Sequence, residues 1–305
     1  MEIIFLLVEL IPCLLIGYFL GKVKGNIALT IARPLVQFGI PISLMGLILN
    51  AGISLDLLEA AAMALVAIGL LMTTLKLIPQ FRTIIASRVL ALGSSFGNTG
   101  YFGIPVSIAL LPNSALSYSI GFDLGATLAI WSLGPLLLSK DSIQLEGRKK
   151  WNYFLNALAR SPASKGLIGA MIIHITPWND VLTSTLWVPS KIIIVLALVI
   201  VGMNIGLKDT LRISTITTRV TSIKSNLLIK LVVLPTLMLI LCYLLRLPNI
   251  MRNALVLQSA APTAISILLI SQTCSQDEER ATNLVAISTI MSLVTIPIWS
   301  ILLNV

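Results

Sequence analysis

The sequence predicts an all-α polytopic membrane protein: ten transmembrane helices in two inverted five-helix repeats, with broken, crossing fourth and ninth helices. Three observations lead there. Hydrophobic residues make up 57 % of the chain and charged residues only 11 %, whereas roughly a quarter of a soluble domain is charged. Apolar runs long enough to cross about 30 Å of hydrocarbon recur from end to end. Two of those runs carry a proline at corresponding places, one in "GNTGYFGIP" and one in "LQSAAPTAIS".

Taken in order, the apolar segments cover about 3–21, 30–50, 57–76, 81–111, 116–138, 163–177, 187–206, 225–246, 250–273 and 281–303. The first has no basic leader or small-residue cleavage motif and runs straight into further apolar chain, so it reads as a retained helix rather than a signal peptide. The fourth is too long. At 1.5 Å per residue it would reach about 46 Å, so it either tilts steeply or is interrupted. The sixth is the shortest. Lys and Arg test the count: connections after odd-numbered segments hold 16, those after even-numbered segments three, with Arg88 and Lys230 inside segments and left aside. That asymmetry predicts both termini outside the cytoplasmic membrane and a cytoplasmic basic connection at 140–162. The organisation expected is a first repeat at 1–139, that connection, and a second repeat at 163–305, with no soluble domain.

Five spans are an odd number, so a duplicated half must enter the membrane in the opposite sense, a pattern found in transporters. Pro105 and Pro262 lie 157 residues apart, and the same offset carries the second segment onto the seventh, although the register slips in the third and eighth. Each proline lacks an N–H and displaces the carbonyl four residues earlier, that of Tyr101 or Gln258. Backbone freed in this way is tolerated only inside protein or beside a wet cavity. Two ordinary proline kinks would be the plainer reading; their matched positions, and the Gly-Asn-Thr-Gly beside one of them, favour a binding site. A broken helix presents a free N-terminus worth about half a positive charge, and two such ends would hold an anion through backbone N–H groups. The candidate substrate-binding residues are therefore Asn98, Thr99, Gly100, Gly103 and Pro105 in one break, and Ala261, Pro262, Thr263 and Ser266 in the other.

Glu9, Arg88, Asp123 and Lys230 are the charges expected well inside segments, where charge is costly and often functional. Asp123, next in sequence to the first break, is the candidate proton carrier; the alternative is a structural carboxylate paired with Arg88 or a hydroxyl. Arg88 and Lys230 are expected to snorkel to the cytoplasmic interface. Cys13, Cys242 and Cys274 read as small buried hydrophobes, and His174 as interfacial. The chain has no P-loop, HExxH or GxSxG motif and no Cys/His cluster, so no cofactor, no metal and no enzymatic activity are expected. Trp131, Trp187 and Trp299 fit interfacial belts or packing, and "GRKKW" at 147–151 fits a lipid-headgroup and topology determinant rather than a nucleic-acid patch.

"GNTGYFGIP" resembles the "N-x-G-[FY]-x-G-[IL]-P" stretch of the auxin efflux carrier family, which includes bacterial malonate- and malate-carrier-like members. "LQSAAPTAISILLISQTCSQDEERATNLVAISTIMSLVTIPIW" is similar to that family's ending, and "IPCLLIGYFLGKV" and "LVIVGMNIGL" to its first and seventh spans. The resemblance covers essentially the whole chain. It implies the ten-helix inverted-repeat fold, an elevator-like movement, and export or exchange of organic carboxylates, with Asn98 facing substrate and Pro105 and Pro262 marking the crossover. The long cytoplasmic loop of the plant hormone carriers is missing here, and "AAPTA" lacks the acidic residue with which sodium-coupled bile acid relatives bind cation. The function expected is secondary active transport of a small organic anion, coupled to protons or sodium. A sodium-coupled anion symporter of related fold and a non-transporting receptor are the alternatives. Membrane lipid is an expected partner, nucleic acid is not, and a homodimer is left open.

Overall fold

The computed structural model of the chain describes residues 2–23, 30–31, 34–78, 81, 87–139, 145–207 and 213–305. Every named element among them is helical: α1 Glu2–Val23, α2 Leu35–Ala51, α3 Leu55–Leu77, α4 Arg88–Ser95, α5 Thr99–Leu110, α6 Leu116–Leu138, α7 Gly147–Arg160, α8 Pro162–His174, α9 Asn179–Leu207, α10 213–244, α11 Asn249–Ala260, α12 Ile265–Thr273 and α13 Glu278–Leu303. Five of these, α3, α6, α9, α10 and α13, are long and apolar enough to cross a bilayer, and α1, α2 and α5 carry shorter apolar helix.

Helix starts follow local chemistry. Ser54, Ser87 and Ser161 each sit in extended backbone and accept an N–H from three residues on, the N-cap arrangement. Pro162 then occupies the first turn of α8, where a missing donor costs nothing. The 140–162 connection is not merely loop. It contains α7, whose "GRKKWNYFLNALAR" is amphipathic and packs against α6.

Among the described residues three helices contain a wide π-turn: Leu35–Gly39, Thr99–Gly103 and Ile229–Val233. In each case a proline follows two residues later, at Pro41, Pro105 or Pro235. A proline removes the donor for the carbonyl four back, and the chain responds by widening one turn. The N–H groups of Ile40, Ile104 and Leu234 therefore reach five residues back, to the carbonyls of Leu35, Thr99 and Ile229. In α10 the carbonyl left behind by Pro235, that of Leu231, accepts the Trp299 indole N–H at 3.0 Å.

The helices pack as two groups. In the first, α1 lies along α9, and α2 packs on both α8 and α9. Glycines set the closeness of the α1–α9 seam: a Cβ on Gly17 would stand 2.1 Å from the Val199 carbonyl oxygen, and one on Gly202 2.3 Å from that of Leu14. Gly21 and Gly206 repeat this one turn along, so each helix contributes a small-xxx-small groove to the other. The second group holds α3, α6, α10, α13 and the four short helices α4, α5, α11 and α12 around the largest buried apolar cluster. Gly121 and Gly125 of α6 press against the Leu57 and Ala61 carbonyls of α3 in the same manner.

Candidate functional site at a helix crossover

The fourth and ninth apolar segments are both interrupted. The fourth is α4 and α5 with Phe96, Gly97 and Asn98 unwound between them; the ninth is α11 and α12 separated by 261–264. The two gaps pair as a single antiparallel bridge, Gly97 opposite Thr263. Asn98 N–H donates to the Pro262 carbonyl at 2.7 Å, and Ala264 N–H to the Phe96 carbonyl at 3.1 Å. Thr263 completes the joint. Its N–H donates to Ser288 Oγ at 3.0 Å and its own hydroxyl to the Gly93 carbonyl at 2.9 Å. Buried backbone without these partners would be unsatisfied.

Four helix ends thus meet at one place. The carbonyl ends of α4 and α11 arrive there, and the N–H ends of α5 and α12 leave it. Beside the N–H ends is a hollow of about 40 Å³, lined by Asn98, Thr99 and Gly100 from one break, Ser266 from the other, Asp123 and Trp131 from α6, and a wall of α2 at 40–47. It lies between the two helix groups. Trp131 also lines a larger cavity of about 460 Å³, with Gln37, Gln272 and Glu278.

Asp123 is held by the first break. Its carboxylate accepts the Thr99 hydroxyl at 2.6 Å and the Thr127 hydroxyl at 3.2 Å, and the residue is 6 % exposed. Gly100 lets the carboxylate approach, since a Cβ there would stand 3.0 Å from both its oxygens. The hydroxyl alternative is the observed pairing. Arg88 lies elsewhere, its guanidinium 3.4 Å from the Leu137 carbonyl. Two residues that line the hollow, Tyr101 and Trp131, carry a hydroxyl and an indole N–H that are buried without a partner among the described residues.

The residues named from sequence therefore divide. Asn98, Thr99, Gly100 and Ser266 line the hollow together with Asp123. Ala261, Pro262 and Thr263 build the crossover without facing the hollow, and Thr263 is fully buried in its two hydrogen bonds. Gly103 is packed against the Gln258 amide, 2.3 Å from where a Cβ would sit. Pro105 is a correction. The first break lies at Phe96–Asn98, and Pro105 stands in the opening turn of the helix beyond the π-turn, where it lines a separate cavity with Leu10, Cys13 and Lys191. Lys230 is a second correction: it does not snorkel but is fully buried, its ammonium donating to the Ser259 carbonyl at 2.7 Å. Trp131, read as belt or packing, lines the hollow. The side chain of Glu9 lies outside the described residues.

Sequence reasoning also missed the α2 wall, although a signal was present: "FGIP" occurs at 38–41 and again at 102–105, marking the same π-turn and proline in two helices.

Among the described residues no group of three or more His, Cys, Asp or Glu could hold a metal ion. The family profile described as membrane transport protein matches residues 3–300. No curated protein matches the chain significantly. With that profile covering nearly its full length, the chain belongs to the membrane transport protein family, the auxin efflux carrier family, and is a membrane transporter rather than an enzyme.

Proposed function

We propose that this transporter moves a small organic anion, of the carboxylate class, across the cytoplasmic membrane by secondary active efflux or exchange, holding it at the crossover of the two broken helices. The observation that carries this reading is the pair of hydrogen bonds joining the unwound segments, Asn98 to Pro262 and Ala264 to Phe96. They bring the N–H ends of α5 and α12 to one hollow, each end worth about half a positive charge. Asn98 and Ser266 add neutral hydrogen-bonding groups beside Thr99, whose hydroxyl is bonded to Asp123, and the lining residues Tyr101 and Trp131 carry further donors.

Ten spans in two inverted five-helix repeats, 1–139 and 163–305 with both termini outside, fit the packing. If the first repeat's helices are α1, α2, α3, α4–α5 and α6, and the second's are α8, α9, α10, α11–α12 and α13, the pairs exchange. The first helix of each repeat packs on the second of the other: α1 on α9, and α8 on α2. An elevator-like motion is supported by the hollow's position between the two helix groups. At about 40 Å³ it holds a water or two rather than a dicarboxylate, so loading requires the groups to separate. The 460 Å³ cavity, which shares Trp131 with the hollow, serves in this reading as the route of entry.

Asp123 supplies the coupling. An ionised carboxylate in the hollow repels an arriving carboxylate, so anion and proton bind with positive linkage. Asn98→Ala tests the site: in proteoliposomes the variant should lose most counterflow of a labelled dicarboxylate while unfolding at the wild-type temperature. Wild-type flux by that variant would remove Asn98 from the site. The same vesicles with potassium in place of sodium separate the proton-coupled reading, which expects no change, from a sodium-coupled one.

A further inference from the structure

Lys230 is bound to the carbonyl end of α11 at the crossover, whereas Asp123 is bound to Thr99 at the N–H end of α5. Lys230 belongs to the π-turn of α10 and its side chain is fully buried. Its ammonium donates to the Ser259 carbonyl, in the last turn of α11, at 2.7 Å. Gly97, in the other break, lies directly against it: a Cβ there would be 3.2 Å from Nζ and 3.4 Å from the Ala261 carbonyl oxygen. Lys230 forms no salt bridge with any described carboxylate. Beside the ammonium are the carbonyl end of the half-helix α11, which carries a partial negative charge, and the unwound Gly97 of the other break. Unwound carbonyls and half-helix C-termini are the groups with which transporters coordinate a free cation.

We propose that the Lys230 ammonium is the resident cation of the crossover, tethered at the carbonyl pole that would otherwise bind a free monovalent cation, so that the crossover needs no sodium or potassium. The inference deepens the reading above by assigning the coupling ion. Its central test is nevertheless independent of substrate. A tethered cation holds the carbonyl ends of the breaks together in every state, while the N–H pole beside Asp123 stays available to the anion. Removing the amine should leave a carbonyl-lined cavity of the right size and polarity for a small cation.

The test is thermal unfolding of the purified full-length protein in detergent, with chloride salts at matched ionic strength. Wild type should unfold at one temperature in sodium, potassium and choline. Lys230→Ala should unfold at a lower temperature, and about 100 mM ethylammonium, which restores the deleted amine and part of its stem, should recover at least half of that loss by mass action. Choline, too bulky for the cavity, should recover none. Lys230→Met fills the space without a charge and should be destabilised with no ethylammonium recovery. Stabilisation of wild type by sodium over choline would overturn the proposal. So would wild-type stability of Lys230→Ala, or equal ethylammonium recovery of the Ala and Met variants. If Lys230→Ala cannot be purified, the wild-type salt comparison decides alone. Failure of the organic-anion reading would appear instead as absent carboxylate flux in wild type, with these unfolding temperatures unchanged.

Discussion

Replacing Asp123 by Asn changes one charge and little else. The side-chain oxygen that remains can still accept the Thr99 hydroxyl, now at 2.6 Å, and the Thr127 hydroxyl at 3.2 Å, so the break keeps its anchor. What disappears is the negative charge beside the hollow. A substrate carboxylate bound at Asn98 and Thr99 would lie about 5 Å from it, and two like charges at that distance repel by about 3 kcal/mol at an effective dielectric constant of about 20. That corresponds to roughly a hundredfold in affinity. The sign follows from protonation. As pH rises Asp123 loses its proton, the hollow becomes anionic, and wild-type affinity for a dicarboxylate should fall; Asp123→Asn has no proton to lose and should bind equally at every pH. At the alkaline end the variant should bind up to roughly a hundredfold more tightly than wild type, while proton-coupled flux is lost. Calorimetric titration of a dicarboxylate above about pH 6, where ordinary carboxyl groups are already ionised, isolates the protein's contribution. A wild-type affinity flat with pH, or a variant retaining the wild-type slope, would refute the reasoning.

Gly202→Ala places a methyl group 2.3 Å from the Leu14 carbonyl oxygen, a backbone atom that can yield only if α1 and α9 separate; the variant should lose about 1–3 kcal/mol and unfold at a lower temperature. Ser288→Ala leaves the fully buried Thr263 N–H without its acceptor and should cost about 1–3 kcal/mol, visible as a lower unfolding temperature and lower flux together. Trp131→Phe keeps an aromatic ring between the hollow and the larger cavity but removes the unpartnered N–H; dicarboxylate binding should weaken severalfold with stability unchanged, and unaltered binding would exclude that donor from recognition.

The second break was legible because Pro262 lies in the gap itself, between the end of α11 and the start of α12. The first was legible as an event but not as a place. Pro105 drew attention seven residues too far along, since it widens one turn into the π-turn at Thr99–Gly103 without breaking the helix there. The residue that decides is Asn98, whose N–H finds a partner only in Pro262, 164 positions away and invisible to any local pattern. Lys230 was misread for a related reason. Distance from the end of an apolar run suggests snorkelling, whereas the π-turn that Pro235 imposes puts Ile229, Lys230 and Leu231 in the interior and Val232 and Val233 outside. The α2 wall could have been suspected from its repeated "FGIP", but its position beside Asp123 comes from tertiary packing alone.

The interlocked glycines of α1 and α9 also have a consequence for biogenesis. Leu14 and Gly202 are separated by nearly 190 positions of chain, and at about 5–20 residues per second the ribosome needs some 10–40 s to supply the second helix after the first has emerged. For that interval the grooved face of the first helix has only lipid or the insertion machinery against it. A nascent chain stalled before α9 should therefore be a preferred target for membrane quality control, and one stalled just beyond it should not.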